Sequence, residues 1–594
     1  MPHAKLSQNA LRVLEARYLR RDAQRRIIEM PDELFKTVAH AVSYAELLLS
    51  NNNRQADYWQ EKFLDLLMSL DFLPNTPTLM NAGKPLGQLS ACFVLPVGDS
   101  MEAIFDAIKQ MALVQRTGGG TGFSFSRLRP GGDLVASTSG EASGPVSFMK
   151  IFDCATENIK QGGKRRGANM GVLRVDHPDI LEFINAKLDE DSLRNFNISV
   201  GVTHAFMQAV QKNQTYDLIH PVTGKVVGTL RAKAVFDYIV EAAWKTGDPG
   251  LLFLDTINQG NPTPHLGRIE ATNPCGEIPL LPYESCNLGS INLAHMIRQG
   301  KGKATINWGK LRTAVQQAAR FLDDVIEVSK YPIPEIENTT TGNRKIGLGV
   351  MGFAEMLIHL GISYDSDEAV KTAEQVMAVI AEESLKTSQK LAEERDVFPN
   401  WKGSIYEAQG VRVRNATQTA IAPTGTIGII ANTSPSIEPL FALAYKRKHV
   451  LNGQTLFETN PLFLEYLNRH GLKAEKIIEE VQESGRLKEI EYIPEELKRL
   501  FVTALEISPE RHLQIQAAFQ RHVNNSVSKT VNLPHDASVR DVARVYRKAW
   551  ELGLKGITIY RYGSKSSQVF ELGVGEEAHH YDHASKCDPE ECRV

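Results

Sequence analysis

Cysteine is scarce in this chain, with six residues in 594, at positions 92, 154, 275, 286, 587 and 592. So thin a scatter excludes a disulfide-stapled scaffold, and with 42% of its residues in the hydrophobic set a chain of this length buries an ample core without staples. Any cysteine chemistry is therefore local. Long apolar runs are missing too: none reaches the roughly eighteen residues a membrane span requires. The opening MPHAKLSQNALRVLEARYLRR brings charge early and has no apolar run before a small-residue cleavage site, so no export signal is expected. Nor does one sign of charge dominate. The 67 basic and 70 acidic residues nearly cancel, which argues against a DNA or RNA coat, a polyanionic tail or a lipid-binding face. These absences point to a reducing, cytoplasmic setting in which free thiols survive.

What is present has an order along the chain. Leu14, Tyr18 and Leu19 recur at helical spacing, and Pro31-Asp32-Glu33-Leu34 opens a second helix through Tyr44, so residues 1–70 read as a helical N-terminal region. From Phe72 short strand-like pieces alternate with amphipathic helices, as in Ala91 to Pro96 followed by Met101 to Gln115, and this α/β texture continues to about residue 560. No clean linker divides residues 71–565, which read as one catalytic domain. The Glu- and Lys-rich stretch Lys473 to Arg499 reads as an exposed helical insertion. Residues 566–594, polar and ending SKCDPEECRV, read as a flexible tail.

Three segments are rich in potential phosphate or sugar donors. Gly118-Gly119-Gly120-Thr121-Gly122 lets backbone amides approach a ligand closely, or makes an ordinary tight turn; it is no P-loop. Lys160-Gln161-Gly162-Gly163-Lys164-Arg165-Arg166-Gly167-Ala168-Asn169 combines four cations with flexibility, as a nucleotide clasp or a solvated basic loop. Pro423-Thr424-Gly425-Thr426-Ile427 and the donor-rich turn at Thr76 fit phosphate, or plain hydroxyl-capped turns. The cysteines discriminate better. Asn273-Pro274-Cys275-Gly276-Glu277 sets a thiol between an amide and a carboxylate on irregular backbone, with Cys286 eleven residues on. Neither that spacing nor Cys92 has the close pairing that zinc prefers, so no protein-held metal is expected. Cys154, near Phe148, Ile151 and Phe152, is expected to be a buried filler. Cys587 and Cys592, with four residues between them in the tail, suit thiol–disulfide exchange.

In this order the motifs resemble the catalytic subunit of ribonucleotide reductases, and specifically the adenosylcobalamin-dependent class II enzymes. The resemblance rests on Asn273-Pro274-Cys275-Gly276-Glu277, on Ser90-Ala91-Cys92 with Cys286, on Pro423-Thr424-Gly425-Thr426, and on the terminal cysteine pair. Gly556-Ile557-Thr558-Ile559-Tyr560-Arg561-Tyr562-Gly563-Ser564 looks like the class II pattern, not the tandem tyrosines of class I, and neither a C-terminal glycyl-radical motif nor an ATP-cone is recognisable.

That resemblance implies a ten-stranded α/β barrel of two parallel five-stranded halves, with a central finger loop carrying Cys275. It implies reduction of ribonucleoside diphosphates at C2′, with adenosylcobalamin supplying the radical that Cys275 carries as a thiyl. Glu277 would be the base at the 3′-hydroxyl, Asn273 would position the ribose, Cys92 and Cys286 would end as a disulfide, and Cys587 and Cys592 would reduce it and be renewed by thioredoxin. Substrate contacts are expected from Thr76, Ser90, Ala91, Gly119, Gly120, Asn273, Glu277 and Pro423 through Ile427. Deoxynucleoside triphosphate effectors are expected at Asp176, Lys160, Lys164, Arg165 and Arg166 at a homodimer interface, and Tyr560 and Tyr562 are candidates near the cofactor. Two alternatives within the family stand beside this reading, a class I subunit with a separate radical-generating protein and a triphosphate substrate. A third is a nucleotide-responsive regulator without catalysis.

Overall fold

Ser7 caps the first helix, α1 (Gln8–Arg17), by accepting the Ala10 N–H at 3.1 Å, and the helix buries Leu14. Helix α2 (Pro31–Ser50) opens on proline, and the Glu33 carboxylate accepts the Met30 N–H at 2.7 Å, so the expected start is found. The helix runs past Tyr44, because its apolar stripe continues to Ala45. Helix α3 (Asn53–Met68) follows it. Glu46 of α2 reaches a buried ion network on the helices Trp308–Val328 and Asp367–Arg395, where Arg320 Nη2 lies 2.9 Å from its Oε2. Burial alone would raise the Glu46 pKa; the Arg320 and Arg395 guanidiniums overcome it and hold the carboxyl at about 2. Arg395 also pairs with Asp324 at 2.6 Å and Asp323 at 2.9 Å.

The structure is a computed structural model that describes residues 3–135, 139–161, 165–300, 304–451, 454–484, 486–564 and 570–571. The chain divides into two units. One comprises residues 1–439 and 505–566; the other is Leu440–Ala504 with the strand Phe570–Glu571. In the second, the strands Ala444–Leu451 and Gln454–Thr459 pair antiparallel, and the charged stretch carries the helices Ala474–Ser484 and Glu495–Leu500. Among the described residues no helix is long and apolar enough to cross a membrane.

The first unit is built on ten strands: β1 (Phe72–Pro74), β2 (Cys92–Val94), β3 (Gly120–Ser124), β4 (Asn169–Arg174), β5 (Phe196–Val202), β6 (Gly250–Phe253), β7 (Ser285–Asn292), β8 (Ile346–Met351), β9 (Thr530–Leu533) and β10 (Gly556–Arg561). The strands β2 to β6 run parallel in chain order. On one side β6 meets β10 antiparallel, and β10 pairs parallel with β9. On the other β2 meets β7 antiparallel, and β7 pairs parallel with β8. The extended segment 417–421 closes the gap between β8 and the chain entering β9 through parallel bridges Leu348↔Thr419 and Ile421↔Val527. With that segment the wall is a closed ring of two parallel five-stranded halves joined at two antiparallel seams, and β1 pairs outside the ring with the far half of β7. Closure removes the exposed edges.

Strand polarity fixes where function can sit. The halves are antiparallel, so the N-terminal ends of β2, β3 and β4 share one rim with the C-terminal ends of β10 and of the segment 417–421. The segments just outside those ends are Ser90–Ala91, Gly118–Gly119, Gly167–Ala168, Tyr562 and Pro423–Ile427. The connection from β6 to β7 starts at the opposite rim.

Candidate active site

That connection enters the barrel. Ala271–Thr272 pairs with Pro279–Leu280 as a short hairpin, and its six-residue tip spans the Asn273 to Ile278 motif. The tip is braced from within: the Gly276 N–H donates to the Asn273 carbonyl at 3.1 Å, the Ile278 N–H donates to Asn273 Oδ1 at 3.0 Å, and Gly276 takes the positive φ of 83° that glycine accommodates. It is also braced by the wall. Asn197 Nδ2 of β5 donates to the Pro274 carbonyl at 2.8 Å, and from the other half of the ring the Ser526 N–H donates to the Glu277 carbonyl at 2.8 Å. The hairpin leaves no room on β3: a methyl carbon at Gly122 would sit 1.8 Å from the Thr272 carbonyl oxygen, and one at Gly120 would sit 3.0 Å from Pro274 Cγ. The central finger loop is therefore observed, and β3 is glycine-rich where the finger presses on it.

Three thiols gather there. Cys92 and Cys286 face each other in register across the β2/β7 seam. Cys92 is buried and accepts from Asn273 Nδ2 at 3.2 Å. Burial raises its pKa well above the ordinary thiol value, and the Glu277 carboxylate adds to the rise. Cys286 is buried too, its thiol donating to the carbonyls of Asn287 (3.4 Å) and Lys345 (3.5 Å); burial raises it strongly, against the opposing pull of the Lys345 ammonium. Lys345 is itself paired with the buried Glu284 at 2.8 Å. Cys275, at the tip, is exposed. Glu277 is 2% exposed, its Oε2 has no hydrogen-bond partner among the described residues, and burial pushes its carboxyl up to about 7, an effect that Asn273 partly offsets. The arrangement offers an accessible thiol, a buried base with a vacant lone pair, an orienting amide, and two protonated thiols positioned to become a disulfide.

The expected substrate residues lie around the same rim. Ser90 Oγ accepts from Ser285 Oγ at 3.3 Å, and the Ala91 carbonyl accepts the Gly120 N–H at 2.8 Å. Thr76 opens the helix Thr76–Asn81, and its hydroxyl is 2.9 Å from that of Tyr18. Pro423 precedes Thr424, which takes a left-handed φ of 51° and opens the helix Gly425–Ile430, its Oγ1 accepting the Ser436 N–H at 2.6 Å. Thr426 and Ile427 lie in the first turn. Ser436 Oγ is buried without a hydrogen-bond partner among the described residues, a donor that no local pattern in the sequence had singled out.

The remaining expected residues lie on other segments. Lys160–Gln161 and Arg165–Arg166 form a two-rung hairpin before β4, while Lys164 lies outside the described residues. Asp176 is engaged at both oxygens by Arg174, 2.9 Å from Nε. Tyr560 is half-buried on β10, with Tyr562 just beyond the strand's end, and burial raises the Tyr560 hydroxyl. Cys587 and Cys592 lie outside the described residues. Cys154 corrects an expectation. It is exposed, not buried: helix Gly144–Asn158 buries Met149, Phe152 and Thr156, and Cys154, two residues past Phe152, falls on the far side.

A closed ten-stranded α/β ring threaded by a cysteine-tipped hairpin defines a thiol-based catalytic barrel, and comparison with known proteins makes the class specific. Residues 90–560 match the family description "Ribonucleotide reductase, barrel domain" and residues 4–87 match "Ribonucleotide reductase, all-alpha domain". The chain belongs to the ribonucleotide reductase family. It is 50% identical to a vitamin B12-dependent ribonucleoside-diphosphate reductase of Thermoplasma acidophilum, over 96% of this chain and 81% of that protein. It is 51% identical to one of Mycobacterium tuberculosis, over 95% and 80%. Among solved structures, an Actinobacillus ureae class Id ribonucleotide reductase alpha subunit superposes with a TM-score of 0.75 at 25% identity, covering 95% of this chain and 98% of the other.

Proposed function

We propose that this protein is an adenosylcobalamin-dependent ribonucleoside-diphosphate reductase, and one observation carries the reading: an exposed thiol and a buried, unsatisfied carboxylate stand two residues apart on a finger inside the barrel, above a facing pair of buried thiols. The diphosphate and the cofactor are what the half-identical relatives are named for. The residues at the tip fit a bulky group approaching one thiol from outside. Cys275 is exposed, and a methyl carbon on Gly276 would meet no atom within 4 Å. Adenosylcobalamin, when bound, supplies the radical equivalent that removes a hydrogen atom from a thiol. Its cobalt arrives in the corrin, and Tyr560 and Tyr562 are the residues proposed to hold it.

The chain's own residues do the rest. The Cys275 thiyl takes the hydrogen from C3′ of the ribose. Glu277 accepts the 3′-hydroxyl proton at its vacant Oε2, with Asn273 orienting the sugar. As the 2′-hydroxyl leaves as water, Cys92 and Cys286 supply two electrons and two protons and become joined as a disulfide. Cys275 then returns its hydrogen to C3′, so each cycle converts one ribonucleotide and two thiols into one deoxyribonucleotide, water and a disulfide. Cys587 and Cys592 reopen that disulfide by exchange, and thioredoxin or a similar dithiol protein renews them.

The substrate diphosphate is proposed to rest on Pro423, Thr424, Gly425, Thr426 and Ile427, with Thr76, Ser90, Ala91, Gly119 and Gly120 completing the rim. Deoxynucleoside triphosphates are proposed to act through Lys160, Lys164, Arg165, Arg166 and Asp176 in a homodimer, which the exposed Met101, Phe105 and Ile151 support. A reducing cytoplasm suits such thiol chemistry.

The test is an anaerobic product assay with the four ribonucleoside diphosphates and the four triphosphates, a dithiol, and adenosylcobalamin present or omitted. Deoxynucleoside diphosphates formed only with the cofactor are expected. Preferential turnover of triphosphates would overturn the substrate. Turnover without cobalamin, stimulated by a separate radical-generating protein, would make this a class I subunit, a reading kept alive by the class Id structure of the same fold.

A further inference from the structure

Four inaccessible side chains join the strand that carries Gly120 to both feet of the basic hairpin. Helix α4 (Met101–Arg116) ends beside them. Its Gln115 donates through Nε2 to Asn169 Oδ1 (2.9 Å) and Thr121 Oγ1 (3.2 Å), and Thr121 Oγ1 donates to the same Asn169 oxygen at 2.6 Å. Asn169 Nδ2 in turn donates to Thr156 Oγ1 at 2.8 Å. Each of the four is 0% exposed. The hairpin's first foot hangs from this cluster, since the Ile159 N–H donates to the Thr156 carbonyl at 3.1 Å. Its second foot is tied to β3, where the Thr121 N–H donates to the Ala168 carbonyl at 3.3 Å. The feet of the hairpin and the strand that carries Gly120 are therefore joined through packed, hydrogen-bonded groups.

The cluster is one donor short of closure. Gln115 Oε1 is buried with no partner among the described residues, although buried amide oxygens are nearly always satisfied. It faces the second foot: a methyl carbon on Gly167 would lie 2.7 Å from it and 2.6 Å from Thr156 Cγ2. With no side chain at Gly167, its backbone borders the vacant oxygen.

We propose that Gln115 is a positioning residue for base selection, setting the Gly119–Gly120 rim in one of two placements according to whether its Oε1 accepts a backbone N–H from the Gly167 foot of the hairpin. The proposal rests on the reading of Lys160–Asn169 as the segment that senses a nucleotide effector. Closing the vacant hydrogen bond is the differential contact that such a two-state response needs.

The experiment uses the full chain with adenosylcobalamin and a dithiol, and measures the ratio of kcat/KM for cytidine and guanosine diphosphate with and without each deoxynucleoside triphosphate. In the unaltered protein an effector shifts that ratio. Gln115→Met, which keeps length and removes the amide, is expected to keep effector-free turnover within about threefold while shrinking the effector-driven shift by about fivefold or more. Gln115→Leu is expected to do the same, and it decides the matter if thermal unfolding shows that Gln115→Met does not fold. An undiminished effector-driven shift in the folded variants would overturn the proposal, as would an equal proportional loss for both substrates. Absence of any shift in the unaltered protein would instead remove the effector reading of the hairpin, and the proposal with it.

Discussion

Glu277 combines three properties that seldom occur together in a carboxylate: near-complete burial, an oxygen without a hydrogen-bond partner among the described residues, and a pKa of about 7 imposed by desolvation. The first prediction concerns its chemistry. The rate of the reductive step rises with pH through about 7 as the base form populates, and Glu277→Gln loses that limb along with roughly 100- to 10,000-fold of the rate, measured by single-turnover quench. The second concerns stability. Below pH 4.5 the carboxyl is protonated whether the chain is folded or unfolded; between 4.5 and about 7 only the folded protein keeps its proton, so stability falls as pH rises through that window. At about 1.4 kcal/mol per unit the loss approaches ~3 kcal/mol and then levels off. Glu277→Gln is spared it, so its urea midpoint relative to the unaltered protein should be higher at pH 8 than at pH 5; an equal difference at both pH values would reject the buried, proton-holding carboxyl.

At the scale of elements, the finger and the strand beneath it are fitted to one another. Because a methyl carbon at Gly122 would lie 1.8 Å from the Thr272 carbonyl, Gly122→Ala must displace the hairpin. Displacing a reacting group by about an ångström costs on the order of 100-fold in rate, and that loss is expected in product formation, together with a changed alkylation rate of Cys275. The finger tip was legible beforehand because its chemistry is contiguous, with amide, thiol and carboxylate inside five residues. The wall was not. Alternating strands and helices serve a closed ring and an open doubly wound sheet equally well, and only the family resemblance chose between them. The segment 417–421 could not be read as a strand, since Thr417, Gln418 and Thr419 have no apolar alternation and joins the ring through single bridges. Gln115 and Ser436 matter through partners distant in sequence or through a partner they lack, and no local pattern records either. Cys154 was misread for a simpler reason: apolar neighbours suggested burial, but two residues along a helix is the opposite face.

At the scale of the molecule, the N-terminal helices are fastened to those around the barrel by buried charge. Arg395 serves Glu46, Asp323 and Asp324 together. Arg395→Met leaves these acids short of a cation in a buried setting, and should cost about 3–5 kcal/mol in denaturant unfolding; a loss under about 1 kcal/mol would place the network among weakly contributing surface pairs. The tail makes a separate claim on the whole chain. Cys587→Ser should spare one turnover by pre-reduced protein and stop thioredoxin-driven cycling, and unchanged multiple-turnover rates would dismiss the tail as the carrier of reducing equivalents.

The antiparallel seam between β2 and β7 has a mechanical corollary. Residues directly opposite on such strands have Cα atoms about 4.5–5.5 Å apart, within the roughly 4.4–6.8 Å that a disulfide spans, and Cys92 and Cys286 occupy such a pair. The register therefore suits the disulfide proposed for these two thiols, which would form across a strand pairing already in place.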